Sequence, residues 1–231
     1  MKNPLIIALD LDSADAARDL VRRLGSSAGF YKVGLELYAA AGMEFARDLV
    51  SEGHQVFLDL KLFDIAETVK RATAQVAKAG VRFLTVHSSS QVMRAAVEGK
   101  AGSPLEILAV TVLTSFDESD LADMGYSCDV PSLVERRVHN ACLAGADGIV
   151  CSPLEVARVR ALAGPKMVLV TPSVRSPGAS PGDQKRVATP AEAMRSGADY
   201  LVVGREVTRA ADPKAAVERI LSDLALSAVA G

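Results

Sequence analysis

The feature that most constrains the fold is a regular alternation of short apolar segments with longer segments of helical spacing. We predict β-strands at Leu5–Leu9, Phe30–Val33, Val56–Leu60, Phe83–Val86, Ile107–Leu113, Gly148–Cys151, Met167–Val170 and Tyr200–Val203. The segments between them include predicted helices at Asp15–Leu24, Leu37–Glu52, Ile65–Ala79, Ser132–Ala144 and Pro190–Ser196. Strands that alternate with helices in this way are typical of a parallel sheet.

A weak internal repeat indicates how the sheet is arranged. Gly53, Gly80, Gly145 and Gly197 each end a predicted helix and precede a predicted strand. Glycine adopts the left-handed conformation of a helix C-cap without steric cost. Eight such units fill residues 1–231, so we predict an α/β fold with a single domain, a (β/α)8 TIM barrel. The alternative is an open doubly wound sheet, but neither GxGxxG nor GxxxxGK[ST] follows any strand.

Charge, cysteine content and the N-terminal sequence argue against several classes of protein. The formal net charge is −2, so the chain lacks the basic excess of a nucleic-acid-binding protein. The three cysteines lack CxxC spacing, and no HExxH or EF-hand pattern occurs, so we predict neither a disulfide framework nor a metal site. The first apolar stretch is too short for a signal peptide or a membrane span, and we expect no membrane partner and a cytoplasmic location.

Charged residues lie at the ends of the first three predicted strands. Asp10 follows strand one, Lys32 lies in strand two, and Asp59 and Lys61 end strand three. Because side chains alternate between the faces of a strand, Asp59 and Lys61 point the same way while the leucines beside Asp59 can face the helices. Active sites of such barrels lie where the strands end. Four charges of alternating sign indicate a catalytic site there, and the alternative is a structural network of salt bridges.

Asp64 can be interpreted as the N-cap of the next helix or as a catalytic residue. Asp64 and Glu67 together resemble a helix N-cap with a partial capping box, and the residues alone favour that structural role. The two roles are compatible, because a capping carboxylate can keep one oxygen for catalysis.

A third cluster follows strands seven and eight. Strand seven leads to Arg175 and a Pro/Gly-rich loop, and strand eight ends at Gly204 and Arg205. Loops at these two positions often bind phosphate in such barrels. Gly204 would let an anion approach the backbone, and the two guanidinium groups can bind phosphate in a bidentate manner. The length of the loop predicts a lid, and the alternative is a surface connection with solvated arginines.

The chain resembles the orotidine 5′-monophosphate decarboxylase family along essentially its whole length. Residues 59–65 have the DxKxxDI signature of that family. Further matches, in chain order, lie at 8–10, 31–34, 112–115, 147–152, 171–175, 183–186 and 203–205. One departure is Ala66-Glu67, where Pro-Asn is common in the family.

The resemblance implies a cofactor-free decarboxylation of orotidine 5′-monophosphate to uridine 5′-monophosphate and carbon dioxide, the last step of de novo pyrimidine nucleotide synthesis. It makes Lys61 the proton donor, places Asp59 beside the departing carboxylate, and implies a homodimer in which Asp64 is contributed across the interface. The other substrate contacts that it implies are Asp10, Lys32, Ile65, Thr68, Thr114, Arg175, Gln184, Gly204 and Arg205.

Two alternative functions remain open from the sequence. The first is a magnesium-dependent sugar-phosphate decarboxylase or aldolase on a related barrel, since DxKxxD is shared with those enzymes. The second is a nucleotide-binding barrel without catalytic activity. Gln184, which offers a contact to a base, argues against the first, and the lysine held between carboxylates argues against the second.

Overall fold

The structure is a computed structural model that describes residues 3–176 and 188–229. Eight parallel strands form one closed barrel in chain order. The strands are β1 (Leu5–Ala8), β2 (Phe30–Gly34), β3 (Gln55–Leu62), β4 (Phe83–His87), β5 (Glu106–Val110), β6 (Gly148–Val150), β7 (Val168–Thr171) and β8 (Tyr200–Val203). All eight predicted strands are therefore present.

Pairing between the first and last strands closes the barrel. Leu5, Ile6 and Ile7 of β1 pair in parallel with Leu201, Val202 and Val203 of β8. This pairing confirms the predicted TIM barrel and rules out the open doubly wound sheet, whose edge strands stay unpaired.

The end predicted for strand five is wrong. The prediction continued to Leu113, whereas β5 ends at Val110. The chain leaves the sheet after Thr111, whose backbone N–H donates to Val150 O at 3.1 Å. Val112, beyond the strand, is buried in the core beside the cavity described below. Its apolar side chain therefore extended the predicted strand wrongly.

Helices cover the outside of the barrel. In the described part of the chain they are α1 (Ala14–Leu24), α2 (Leu35–Ser51), α3 (Ala66–Lys78), α4 (Ser90–Lys100), α5 (Glu118–Asp123), α6 (Val130–Ala144), α7 (Val156–Ala163), α8 (Pro190–Arg195), α9 (Arg205–Thr208) and α10 (Pro213–Val229). The five predicted helices are confirmed. None of the helices in residues 3–176 and 188–229 is long and apolar enough to cross a membrane.

Two apolar layers follow from the alternation of side chains along the strands. The outer layer lies between strands and helices and includes Leu5, Ile7 and Leu58. The inner layer fills the barrel lumen and contains Ile6, Ala8, Phe30, Phe57, Phe83, Leu108, Val170, Tyr200 and Val202. Residues two further along the same strands, among them Asp10, Lys32 and Asp59, continue the inward-facing series toward the C-terminal end of the barrel.

The glycines of the predicted repeat have the backbone that the repeat requires. The φ angles are 86° at Gly53, 73° at Gly80, 75° at Gly145 and 106° at Gly197. A residue with a Cβ atom is strained at these angles, so glycine ends each helix and lets the chain enter the next strand.

Candidate active site

A cavity of about 740 Å³ opens at the C-terminal ends of the strands. Polar residues from several βα connections line it, and the apolar lumen side chains form its floor. Of the residues singled out in the sequence, those that line this cavity are Asp10, Lys32, Asp59, Lys61, Thr114, Arg175, Gly204 and Arg205. The barrel thus brings together residues that are far apart in the sequence.

Four charged side chains form a continuous chain of ion pairs on one wall of the cavity. Lys32 Nζ lies 2.7 Å from Asp10 Oδ1 and 3.6 Å from Asp59 Oδ2, and Lys61 Nζ lies 2.8 Å from Asp59 Oδ1. The side chain of Asp59 is only 15% exposed, and that of Asp10 is 53% exposed. The charges therefore alternate in sign along the network, and its two middle groups, Lys32 and Asp59, are the least exposed.

The electrostatics of Asp59 follow from this arrangement. Burial alone would raise the pKa of the Asp59 carboxyl group, because desolvation disfavours its charged form. The charges of Lys32 and Lys61, together with hydrogen bonds from Lys61 and Thr85, outweigh burial and hold the pKa of Asp59 below its usual value. Asp59 is therefore an anion at neutral pH, fixed against the ammonium group of Lys61.

Gly34 is a site residue to which the sequence reasoning gave no role. A Cβ atom at this position would lie 2.8 Å from Lys32 Nζ and 2.9 Å from Asp10 Oδ1. Its φ angle is −93°, so backbone strain does not require glycine there. Glycine instead leaves the space that the Lys32–Asp10 ion pair occupies. Only the three-dimensional proximity of the ends of β1 and β2 reveals that role.

Lys61 departs from regular strand geometry. Its φ angle is 48°, in the left-handed region, and the register of β3 against β4 shifts between Leu58 and Leu62. Side chains alternate strictly only on a regular strand, so the simple parity argument does not cover Lys61. Its ammonium group nevertheless reaches Asp59 from the bulge.

A second wall of the cavity, which continues from the first because β8 pairs with β1, carries the residues predicted to bind phosphate. Arg175 follows β7, and Gly204 and Arg205 follow β8. Between the two walls, Ser173 Oγ donates a hydrogen bond of 2.9 Å to Thr114 Oγ1. Gln184, the predicted bridge between base and phosphate, lies outside the described residues.

The predicted capping role of Asp64 is wrong. Helix α3 begins at Ala66, its N-cap residue is Ile65, and no side chain caps it. Asp64 precedes the N-cap, and its Oδ1 accepts a hydrogen bond of 2.6 Å from Ile65 N–H, which lies outside the helix. Asp64, Ile65 and Thr68 lie outside the lining of the cavity of their own chain.

The donors in this site are arranged for an anionic organic ligand. Within residues 3–176 and 188–229, no three or more His, Cys, Asp or Glu side chains group as a metal site would require. The carboxylates that face the cavity at Asp10 and Asp59 already have ammonium groups within 2.8 Å. The fold and the site together define a parallel-barrel enzyme whose cavity has a chain of ion pairs on one wall and guanidinium groups on the other.

Comparison with known proteins gives the family. The model of the "Orotidine 5'-phosphate decarboxylase / HUMPS family" matches residues 3–220. The chain belongs to this family.

Individual relatives match this chain over nearly its full length. An orotidine 5′-phosphate decarboxylase of Bradyrhizobium sp. is 54% identical over 97% of this chain and 92% of its own. One of Rhodopseudomonas palustris is 51% identical over 97% of this chain and 95% of its own. The crystal structure of orotidine 5′-phosphate decarboxylase from Lactobacillus acidophilus superposes with a TM-score of 0.86, at 36% identity, over 96% of this chain and 99% of that one.

Proposed function

We propose that this protein is a carbon–carbon lyase that decarboxylates orotidine 5′-monophosphate to uridine 5′-monophosphate without a cofactor, in pyrimidine nucleotide synthesis. The observation that carries the proposal is the Lys61 ammonium group, 2.8 Å from the buried Asp59 carboxylate at the cavity wall. The names of the relatives support the same substrate. The cytoplasmic location remains a prediction from the sequence.

The proposed chemical step uses the charges of one wall. Loss of carbon dioxide leaves an electron pair on a ring carbon of the pyrimidine, in an orbital that the ring's π system does not delocalise. The Lys61 ammonium group stabilises that pair electrostatically and then donates a proton to the carbon. Asp59, held ionised, lies beside the departing carboxylate and fixes Lys61 in place. Asp10 and Lys32 hold the ribose hydroxyl groups.

The rest of the substrate binds between the two walls. Thr114 lies near the pyrimidine, and Arg175, Gly204 and Arg205 bind the phosphate. Gln184 bridges base and phosphate in this proposal, which carries over from the family resemblance. Since the phosphate is far from the bond that breaks, its binding energy can serve the chemical step by ordering the site around the base.

The second part of the proposal is a homodimer that completes each site. Phe63 and Ile65, on either side of Asp64, are 67% and 71% exposed, and Leu35 at the cavity rim is 62% exposed. Apolar side chains exposed together beside a site are typical of a protein interface. In the dimer, Asp64, Ile65 and Thr68 of one chain contact the substrate bound to the other chain.

A mixing experiment tests the shared site. Asp64→Asn and Lys61→Ala homodimers are each expected to be nearly inactive. In a mixed dimer one site receives both defects and the other receives neither, so exchange of subunits restores up to about half of the normal activity per mixed dimer. Mixed dimers that form but stay inactive would show that Asp64 serves its own chain.

The substrate itself is tested by parallel assays. The protein is incubated with orotidine 5′-monophosphate and, separately, with 3-keto-L-gulonate 6-phosphate and magnesium, and release of carbon dioxide is measured in both. We expect turnover of the nucleotide only. Turnover of the sugar phosphate alone would identify the magnesium-dependent alternative, and tight binding of uridine 5′-monophosphate without any turnover would identify a non-catalytic nucleotide-binding barrel.

A further inference from the structure

The hydroxyl group of Thr85, on β4, connects the two residues proposed to act on the substrate. Thr85 Oγ1 accepts a hydrogen bond of 2.9 Å from the backbone N–H of Lys61. The same oxygen lies 2.9 Å from Asp59 Oδ1, to which it donates. Thr85 is 0% exposed and lies outside the cavity lining, so it does not touch a ligand in the cavity.

The backbone of β3 explains why a side chain is needed at this point. Leu58 pairs with Leu84 and Leu62 with Val86, so the three residues 59–61 of β3 stand opposite the single residue Thr85 of β4. In such a bulge the regular ladder of backbone hydrogen bonds is interrupted. The N–H of Lys61, at φ 48°, bonds to the Thr85 hydroxyl group.

The direction of the two hydrogen bonds is fixed by chemistry. The Lys61 N–H can only donate, so the Thr85 oxygen accepts there and its single proton is left for Asp59. Asp59 Oδ1 then accepts from Thr85 and from Lys61 Nζ, while Oδ2 faces Lys32 Nζ at 3.6 Å. One hydroxyl group thus sets both the backbone of the proposed proton donor and the carboxylate that holds its ammonium group.

We propose that Thr85 is a positioning residue for the decarboxylation, which holds Lys61 in its strained backbone conformation and orients Asp59 against it. The inference rests on the proposed function of Lys61. A non-glycine residue in the left-handed region is strained and persists only where the surroundings enforce that conformation. Here the Thr85 hydroxyl group supplies part of that enforcement, at an atom that reaches both catalytic groups.

The test compares three variants of the full-length protein. Thr85→Val keeps the shape and removes the hydroxyl group, Thr85→Ser keeps the hydroxyl group, and Thr73→Val is the matched control. Thr73, on α3, is also 0% exposed, but its hydroxyl group has no hydrogen-bond partner. If Val is not accommodated at position 85, Thr85→Cys replaces it, because a thiol forms only weak hydrogen bonds.

We expect Thr85→Val to lower kcat for orotidine 5′-monophosphate by about 10- to 100-fold, the cost of an unsatisfied buried group expressed in the transition state. Affinity for uridine 5′-monophosphate should change by less than about threefold, since the residues proposed to bind the phosphate, Arg175, Gly204 and Arg205, are unchanged. Thr85→Ser should recover most of the rate, and Thr73→Val should match the unmodified protein. Normal kcat in Thr85→Val, or equal losses in rate and in product affinity, would overturn the proposal.

A second measurement does not depend on turnover. Titration of the Asp59 carboxyl group by carbon-13 NMR should show a higher pKa in Thr85→Val than in the unmodified protein, Thr85→Ser or Thr73→Val. The other charged groups that face Asp59, Lys32 and Lys61, are unchanged in all of these proteins. An unmodified protein without turnover would refute the proposed function alone, whereas an unmoved Asp59 pKa would refute the role of Thr85.

Discussion

The two ends of the barrel use paired charges in different ways. At the C-terminal end, the Asp10–Lys32–Asp59–Lys61 chain borders an open cavity. At the N-terminal end, Arg82 precedes β4 and its guanidinium group lies over three aromatic rings, 4.8 Å from the centroid of Phe83, 5.1 Å from Tyr200 and 5.6 Å from Phe30. These three rings start their strands, so Arg82 covers the bottom of the lumen.

The charged groups at the N-terminal end are paired with other groups of the protein. Arg82 Nε donates to Glu106 Oε1 at 3.2 Å. Lys100 Nζ lies 2.7 Å from both carboxylate oxygens of Asp147, and Asp147 Oδ2 also accepts from Ile107 N–H at 2.8 Å. Partly buried charges that are paired and hydrogen-bonded in this way maintain the fold, and no ligand is needed to complete them.

Unsatisfied polar groups and positive φ angles occur at both ends of the barrel. At the N-terminal end, Ser103 Oγ is buried without a hydrogen-bond partner among the described residues, and Ala101 has a φ angle of 46°. At the C-terminal end, His87 Nδ1 and the hydroxyl groups of Ser88 and Thr171, all at strand ends, are buried without such a partner. Lys61 and Ser173 have positive φ angles of 48° and 63°. Strain and unsatisfied polar groups therefore do not by themselves distinguish the two ends. The comparison teaches that the surroundings of similar ion pairs differ: at one end they lie among protein partners, and at the other they border an open cavity.

The largest expected effect is on kcat, and it is tested by replacing one lysine at each end of the barrel. Lys61→Ala should lower turnover of orotidine 5′-monophosphate by more than about 100-fold, because it removes the general acid and the main electrostatic group. Binding of uridine 5′-monophosphate should largely persist. Lys100→Ala, which breaks the equivalent ion pair at the N-terminal end, should leave kcat nearly unchanged. Steady-state assays and binding titrations measure both, and similar kcat values for the two variants would contradict the comparison.

The next effect concerns the phosphate wall. Arg205→Ala should weaken binding of uridine 5′-monophosphate by about 1.5–3 kcal/mol, the range for a charge-assisted hydrogen bond. Uridine, which lacks the phosphate, should lose far less affinity. Calorimetric titrations with both ligands make the comparison, and equal losses would place Arg205 away from the phosphate.

A smaller effect is expected at the N-terminal end. Arg82→Met should lower the free energy of unfolding by about 1–3 kcal/mol, because the cation–π contacts are lost and Glu106 loses its partner. For a chain of this size, Tm falls by roughly 2–4 °C per kcal/mol. Arg158→Met, which breaks an exposed ion pair with Glu135, is the control and should leave the free energy of unfolding nearly unchanged. A loss of kcat in Arg82→Met, at temperatures where the variant is folded, would contradict a purely structural role for the N-terminal end.

The smallest effect is a pH dependence from His87. Burial, and then the charge of Arg137, lower the pKa of His87 below its usual value. The unfolded chain therefore binds this proton first, so the contribution of His87 to stability is complete above about pH 6.5 and is lost as pH falls below that value. From pH 8 to pH 5.5, the free energy of unfolding of the unmodified protein should fall by more than that of His87→Gln. A constant difference would contradict a depressed pKa.

Much of this architecture could be read from the sequence because it depends on local patterns. Strand and helix periods gave the eight units, and strand parity gave the inward direction of Asp10, Lys32 and Asp59. The conformations of Gly53 and its counterparts were predictable, since a helix that ends before a strand requires a left-handed residue.

What the sequence could not reveal depends on contacts between distant segments. Thr85 is an ordinary strand residue until the β3 bulge places it opposite Lys61. Gly34 is recognisable as a site residue only when the Lys32–Asp10 pair is seen to occupy the space of its missing side chain. The capping pattern at Asp64 misled because the helix begins one residue later than a cap at Asp64 would require.

The most direct test of the central claim, that charged side chains at the strand ends suffice for the decarboxylation, is the rate of carbon dioxide release from orotidine 5′-monophosphate with and without an excess of chelator. We predict the same rate under both conditions, because Lys61 supplies the positive charge that the reaction needs beside the carbanion. Loss of turnover in the chelator, with recovery on added magnesium, would contradict that claim.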